Sequence, residues 1–186
     1  GPAWEPEAER RGLLNNKNTA DATDVFFEKK NIDVFVNNGV YTEQEAVARA
    51  MVRLENYVKI INIEALTMLK MAKQDIIPAV SDYVAELCSN VAAKKAVSEN
   101  IPCDTEKSLI SRLAALNDKF SAEVAKLEAL LAGIDKEDVR PASKAMAHKV
   151  IPQMQTVRGI ADEMETLTSE DYWPYPSYTE LLYSVK

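Results

Sequence analysis

From Thr42 onward the apolar residues recur in alternating steps of three and four: Val47, Met51, Leu54, Val58, Ile61, Ala65, Met68, Ala72, Ile76, Val80, Tyr83, Leu87 and Val91. One face of a long packed helix leaves such a seam. Thr42-Glu43-Gln44-Glu45 opens it with a capping box, in which the threonine hydroxyl and the glutamate three residues on satisfy each other's free amides. Between Ile60 and Met71 a second face fills in with Ile63, Leu66 and Leu69, so the middle of the helix is expected to be covered on two sides. Uninterrupted, residues 43–98 would span roughly 80 Å at 1.5 Å per residue. Pro78 should kink them, because it removes the bond to the Gln74 carbonyl.

Two further seams follow. Ser98–Asp104, with Pro102, reads as a loop; Thr105 then starts a helix carrying Leu109, Leu113, Leu116, Phe120, Val124, Leu127 and Leu131, stopped by Gly133. Asp135–Pro141 is a second connection, and Met146, Val150, Met154, Val157, Ala161, Met164 and Leu167 mark the next helix, interrupted by Pro152. Ile77-Pro78 and Ile151-Pro152 read as matched kinks rather than as an internal repeat. Before Thr42 the pattern weakens. Trp4–Asn18 is polar and charged and reads as an extended arm; Thr19 can cap a short helix to about Lys30; Asn31–Val40, ending in Asn37-Asn38-Gly39, reads as a loop or very short strand.

The predicted fold is all-α: an elongated antiparallel helical bundle with one very long Pro-kinked helix, an N-terminal arm and an aromatic C-terminal tail. Residues 1–41 are expected to be arm and linker with a helix at about 19–30. Residues 42–186 are expected to form a helical-bundle domain, with helices at about 43–98, 105–132 and 139–168 and a short turn at 177–183. The excess length of the first long helix is expected to project from the bundle.

The tail is the most unusual stretch. Five aromatic residues fall between Tyr172 and Tyr183, and prolines 174 and 176 stiffen the backbone between them. Each ring can bury roughly 150–250 Å², so a free tail is not expected. Trp173, Tyr175 and Tyr178, with Ile60, Ile63 and Leu66 on the second helix face, are the candidate docking residues.

The charge balance narrows the partners. A net charge of −7 opposes binding to a nucleic-acid backbone and gives no attraction to anionic membranes. No run of about 18 uncharged apolar residues is present. Cys88 and Cys103, with no motif spacing, read as free thiols of a reducing cytosol, and Cys88, beside the seam residue Leu87, as a buried structural thiol. Gly1-Pro2 matches the remnant of tag cleavage. A di-iron bundle needs two Glu-x-x-His motifs; the single histidine, His148, has Ala145 three residues before it and reads as a surface or helix–helix residue. Glycine-rich phosphate loops and nucleophile elbows are absent, and Asp162-Glu163 and Glu170-Asp171 read as solvated helix faces or ends. No catalytic, cofactor-binding or metal residue is assigned.

Several blocks resemble a known family. Glu55-Asn56-Tyr57, Ile61–Met68, Met71-Ala72-Lys73, Asp75–Val80 and Tyr83 resemble the C-terminal region of type III glutamine synthetases. So do Trp4, Glu7-Ala8 and Arg11-Gly12-Leu13, and at the other end Ala161-Asp162-Glu163 and Asp171–Tyr178 with Leu181-Leu182. The blocks cover nearly the whole chain in the family's order; Ala132–Lys144 is less recognisable. The resemblance implies an enzyme that joins ammonia to glutamate with ATP and magnesium, in large double-ring homo-oligomers. It places the catalytic residues in domains that would precede residue 1, so none is carried over. The partners it implies are the enzyme's own catalytic domain and other subunits, in the cytoplasm. The alternative is a free-standing helical interaction module using its aromatic tail or exposed helix face. A reading frame extending several hundred residues upstream favours the first; a native start near Gly1 favours the second.

Overall fold

A computed structural model describes residues 4–183, Tyr178 by its backbone alone; the first three and the last three residues lie outside the described part. Every regular element among the described residues is helical, as the periodicity predicts. Contacts group the chain into two compact units. One comprises residues up to Ile63 together with Gly133–Ile151; the other comprises Glu64–Ala132 and residues from Pro152 onward.

The first unit opens with α1 (Trp4–Arg10), where an extended arm is expected. The charges that suggest an arm are spaced to hold a helix instead: Glu7 accepts from Arg10 and Arg11 at 2.7 Å, one turn on. Gly12, at φ 73, ends it, with Leu13 N–H bonding Ala8 O and Gly12 N–H bonding Glu9 O. Next comes α2 (Thr19–Asp24), capped by Asn18 rather than Thr19: Asn18 Oδ1 accepts from Asp21 N–H at 2.9 Å. It stops six residues short of Lys30, tightening into a 3₁₀ turn at Val25–Phe27.

The stretch read as a loop or strand is α3 (Lys29–Asn37). Ile32, Val34 and Val36 alternate like a strand, but only Ile32 is buried, with Phe35 half-buried one turn on and both valines exposed. Asn37-Asn38-Gly39 does terminate the element. Gly39 takes φ 65, and the bonds Gly39 N–H to Val36 O and Val40 N–H to Phe35 O repeat the ending of α1. The unit also holds the first part of α4 (Glu43–Met71), which buries Ala46, Ala50, Leu54, Val58 and Ile61. The excess length predicted to project is therefore packed within this unit. Thr42 and Glu45 make the predicted capping box, Glu45 accepting from Thr42 N–H at 2.8 Å. The last member is α7 (Val139–Ala145), with the turn that follows it.

The second unit is an antiparallel bundle. α5 (Ile77–Val97) and α6 (Asp104–Ala132) run in opposite directions: Lys73 meets Glu128 at one end, Asn117 donates to Ser81 in the middle, and Lys94 meets Glu106 at the other. α8 (Ile151–Glu165) is antiparallel to α6, tied by Gln153 to Glu123 and by Arg112 to Glu163. Its core is the predicted seam: Leu113, Phe120, Val124, Leu127, Val157 and Met164 are at most 2% exposed. Each such side chain contributes about 2 kcal/mol by leaving water. The last element of the described part is the short α9 (Tyr178–Tyr183). Cys103 is buried, but Cys88 is exposed, against expectation. One residue of an α-helix is about 100° of rotation, which carries position 88 off the face of Leu87.

Neither proline simply breaks its helix. Residues 43–97 form one helical stretch of 55 residues, and the turn Ala72–Ile76 widens to π geometry just before Ile77-Pro78. Met146–Val150 does the same before Ile151-Pro152. In each, the isoleucine N–H reaches back five residues, Ile77 to Ala72 O and Ile151 to Met146 O. A wider turn moves the carbonyl that the proline ring would strike. The seam records this: 72, 76 and 80, and 142, 146 and 150, are buried in steps of four. Two such steps overshoot two α turns by about 80°, which the extra residue of a π turn absorbs.

Candidate functional site

Within the second unit the tail is docked. Tyr175 Oη donates to Asp75 Oδ2 at 2.7 Å, so the tail is pinned to the widened turn ahead of Pro78. Burial, then the carboxylate of Asp75, pushes the Tyr175 phenol up to about 12. The Tyr172 ring lies 5.2 Å from that of Tyr83 on α5. Trp173 is half-buried, and its backbone N–H donates to Ser169 O. The Tyr178 side chain lies outside the described part. Ser177 and Glu180 start α9 with a capping box, and Leu181, Leu182 and Tyr183 face solvent.

The other three candidates lie on one face of α4. Ile60, Ile63 and Leu66 are 54%, 61% and 51% exposed, while Leu69 is buried. Three large apolar side chains one turn apart and uncovered form a patch that soluble chains seldom leave to water without use.

A second surface, in the first unit, was not visible in the sequence. An open groove of about 600 Å³ is lined by Phe26, Phe35, Tyr41, Arg49, Val52 and Arg53, with Glu45 at its edge. Phe26 and Phe35 stack at 6.4 Å, and Phe35 meets Tyr41 at 5.6 Å. Arg49 lies 4.6 Å from the Tyr41 ring and Arg53 5.4 Å from that of Phe26. The signal was the arginine pair at i and i+4, with aromatics upstream; reading 31–40 as a loop hid the helix that brings Phe35 to Phe26.

The same unit holds a charge cluster. Asp21 accepts from Lys144 at 2.9 Å, and His148 Nε2 lies 3.1 Å from the same oxygen; Arg140 reaches Asp24 at 2.7 Å and covers the Phe27 ring. Hydrogen bonds from Lys144, then His148, hold the Asp21 carboxyl down at about 2. Every acid here is matched by a base, so the cluster is a clamp between α2 and α7 rather than a reactive centre. His148 thus serves as an exposed clamp residue. Among the described residues no three of His, Cys, Asp and Glu converge where a cation would bind. No helix among the described residues is long and apolar enough to cross a membrane.

Comparison with known proteins places these surfaces in context. Residues 1–95 match the glutamine synthetase C-terminal domain. A glutamine synthetase of Butyrivibrio fibrisolvens is 34% identical over 188 residues, which cover 98% of this chain and 26% of that protein. A glutamine synthetase of Bacteroides fragilis is 26% identical, and a type-3 glutamine synthetase of Dictyostelium discoideum 25%, each over 97% of this chain. The chain spans about a quarter of the length of these curated relatives. On the match to more than half its length, the chain belongs to the glutamine synthetase C-terminal domain family.

Proposed function

We propose that this chain is the helical packing domain of a type III glutamine synthetase, and that it holds the enzyme's catalytic portion and neighbouring subunits together without taking part in the chemistry. The whole enzyme would join ammonia to glutamate with ATP and magnesium through residues outside this chain. The observation that carries this reading is the exposed face of α4, where Ile60, Ile63 and Leu66 present uncovered apolar surface. The chain's share of its relatives' length supports it, since most of each relative lies beyond the matched region. Trp173 and Tyr175 then serve to fasten the tail, and Tyr178 is a further docking candidate beside them.

The test is made in the whole enzyme. Deleting residues 42–186, or replacing Ile60 and Ile63 with Asp, is expected to lower the yield of assembled oligomer while any residual assembled enzyme still makes glutamine. Normal assembly in both variants would refute the packing role. The chain alone, given glutamate, ammonia and MgATP, is expected to form no glutamine, and measurable turnover would overturn the non-catalytic reading.

A further inference from the structure

The aromatic groove of the first unit carries two guanidinium groups against one carboxylate, that of Glu45, whose charge Arg49 senses without a direct ion pair. Neither Arg49 nor Arg53 forms an ion pair with a described carboxylate, although the chain holds 29 acids against 22 bases. Glu45, the acid at the groove's edge, is occupied: its Oε2 accepts from the Thr42 N–H at 2.8 Å and the Thr42 hydroxyl at 2.9 Å. Each guanidinium lies near an aromatic ring instead, 4.6 Å from Tyr41 and 5.4 Å from Phe26. A ring face consumes none of the fork of N–H donors that suits a carboxylate. The rest of the groove is largely apolar, its lining including Phe26, Phe35, Tyr41 and the 53%-exposed Val52.

We propose that this groove receives an acidic segment of the same synthetase polypeptide, from the part lying outside this chain. Carboxylates of that segment pair with Arg49 and Arg53, and an adjacent aromatic or branched apolar side chain enters between the rings. Charge complementarity selects an acidic occupant. The length of the relatives, of which this chain spans about a quarter, supplies its source. The inference rests on the packing role proposed above and adds the chemistry of the partner surface.

To test it, this chain and the remaining polypeptide of its gene are produced separately, and their binding is measured by calorimetry at low and high salt. Arg49→Glu with Arg53→Glu is expected to weaken binding about tenfold or more at low salt, with a smaller loss at high salt where exposed charges are screened. Arg49→Gln with Arg53→Gln, which adds no new repulsion, should give a smaller loss in the same direction, and circular dichroism checks that both variants fold. If both arginine variants bind normally while Ile60→Asp with Ile63→Asp binds weakly, the groove proposal falls and the packing role stands. If neither pair of sites affects binding, or the two polypeptides do not bind, both fall. Loss of self-association in the arginine variants, with binding to the remaining polypeptide unchanged, would identify a second copy as the occupant and overturn the proposal.

Discussion

Single side chains make two of the long-range joints in this chain, and they respond to opposite ends of the pH scale. Asp21 links α2 to α7 through Lys144 and His148, and its carboxyl titrates at about 2, below the ordinary 3.8. A depressed acid stabilises the folded state fully above the unfolded value, so the clamp is intact above about pH 4 and is lost as pH falls through the folded one. Because Lys144 and His148 are themselves partly exposed, Asp21→Asn should cost only about 1 kcal/mol at neutral pH. Urea midpoints of the two proteins should differ at pH 7 and converge only as pH falls below about 2; a difference that persists there would show that Asp21 acts by packing and not by charge. Tyr175 has the reverse sense. Its phenol is raised, so the tail's anchorage is complete below the ordinary tyrosine value and weakens in strong alkali.

At the scale of elements, glycine placement separates what stops a helix from what merely interrupts one. Gly39 holds φ 65 at the end of α3, whereas Gly159 lies inside α8, and a Cβ would meet nothing within 4 Å at either. Gly39→Ala should therefore cost about 1 kcal/mol through backbone strain alone. Gly159→Ala should gain up to about 1 kcal/mol, because the helix no longer has to order a glycine. Melting temperatures moving in opposite directions would bear this out; a loss at both positions would mean that an unseen neighbour fills the space at Gly159. The seams of α4 to α8 were legible because their apolar spacing is regular and their cores obey it: Leu54, Val80, Leu113 and Met164 are all at most 1% exposed. The short helices were not. In α1 the helix is held by Glu7 pairing with Arg10 and Arg11, and in α3 Phe35 packs on Phe26 and Tyr41, nine and six residues away; neither leaves an apolar seam to read. Cys88 was misread because one residue of offset is a different face.

For the whole molecule, the surfaces matter more than the core. The core was predictable from periodicity, but the groove was not, since Phe26, Phe35, Tyr41 and Arg49 come together only when α3 exists. The α4 face was named from the sequence because Ile60, Ile63 and Leu66 are too many apolar residues for one seam. With a net charge of −7 the chain should stay dispersed in dilute solution, yet that face remains uncovered. Sedimentation velocity of the chain alone should show weak, concentration-dependent self-association that Ile60→Asp with Ile63→Asp removes without changing helical content. A monomer at every concentration would argue that the patch is too small to drive contact unaided.

The two widened turns have a consequence for how this sequence can change length. A π turn is an α turn with one residue to spare, so losing a single residue from Lys73–Asp75 or from Ala147–Lys149 would restore ordinary winding and leave the downstream faces aimed as before. The same loss at Asn56 would rotate everything after it by about 100° and turn the buried seam toward water. These turns are the places in the long helices where the chain can shed a residue without refolding its core.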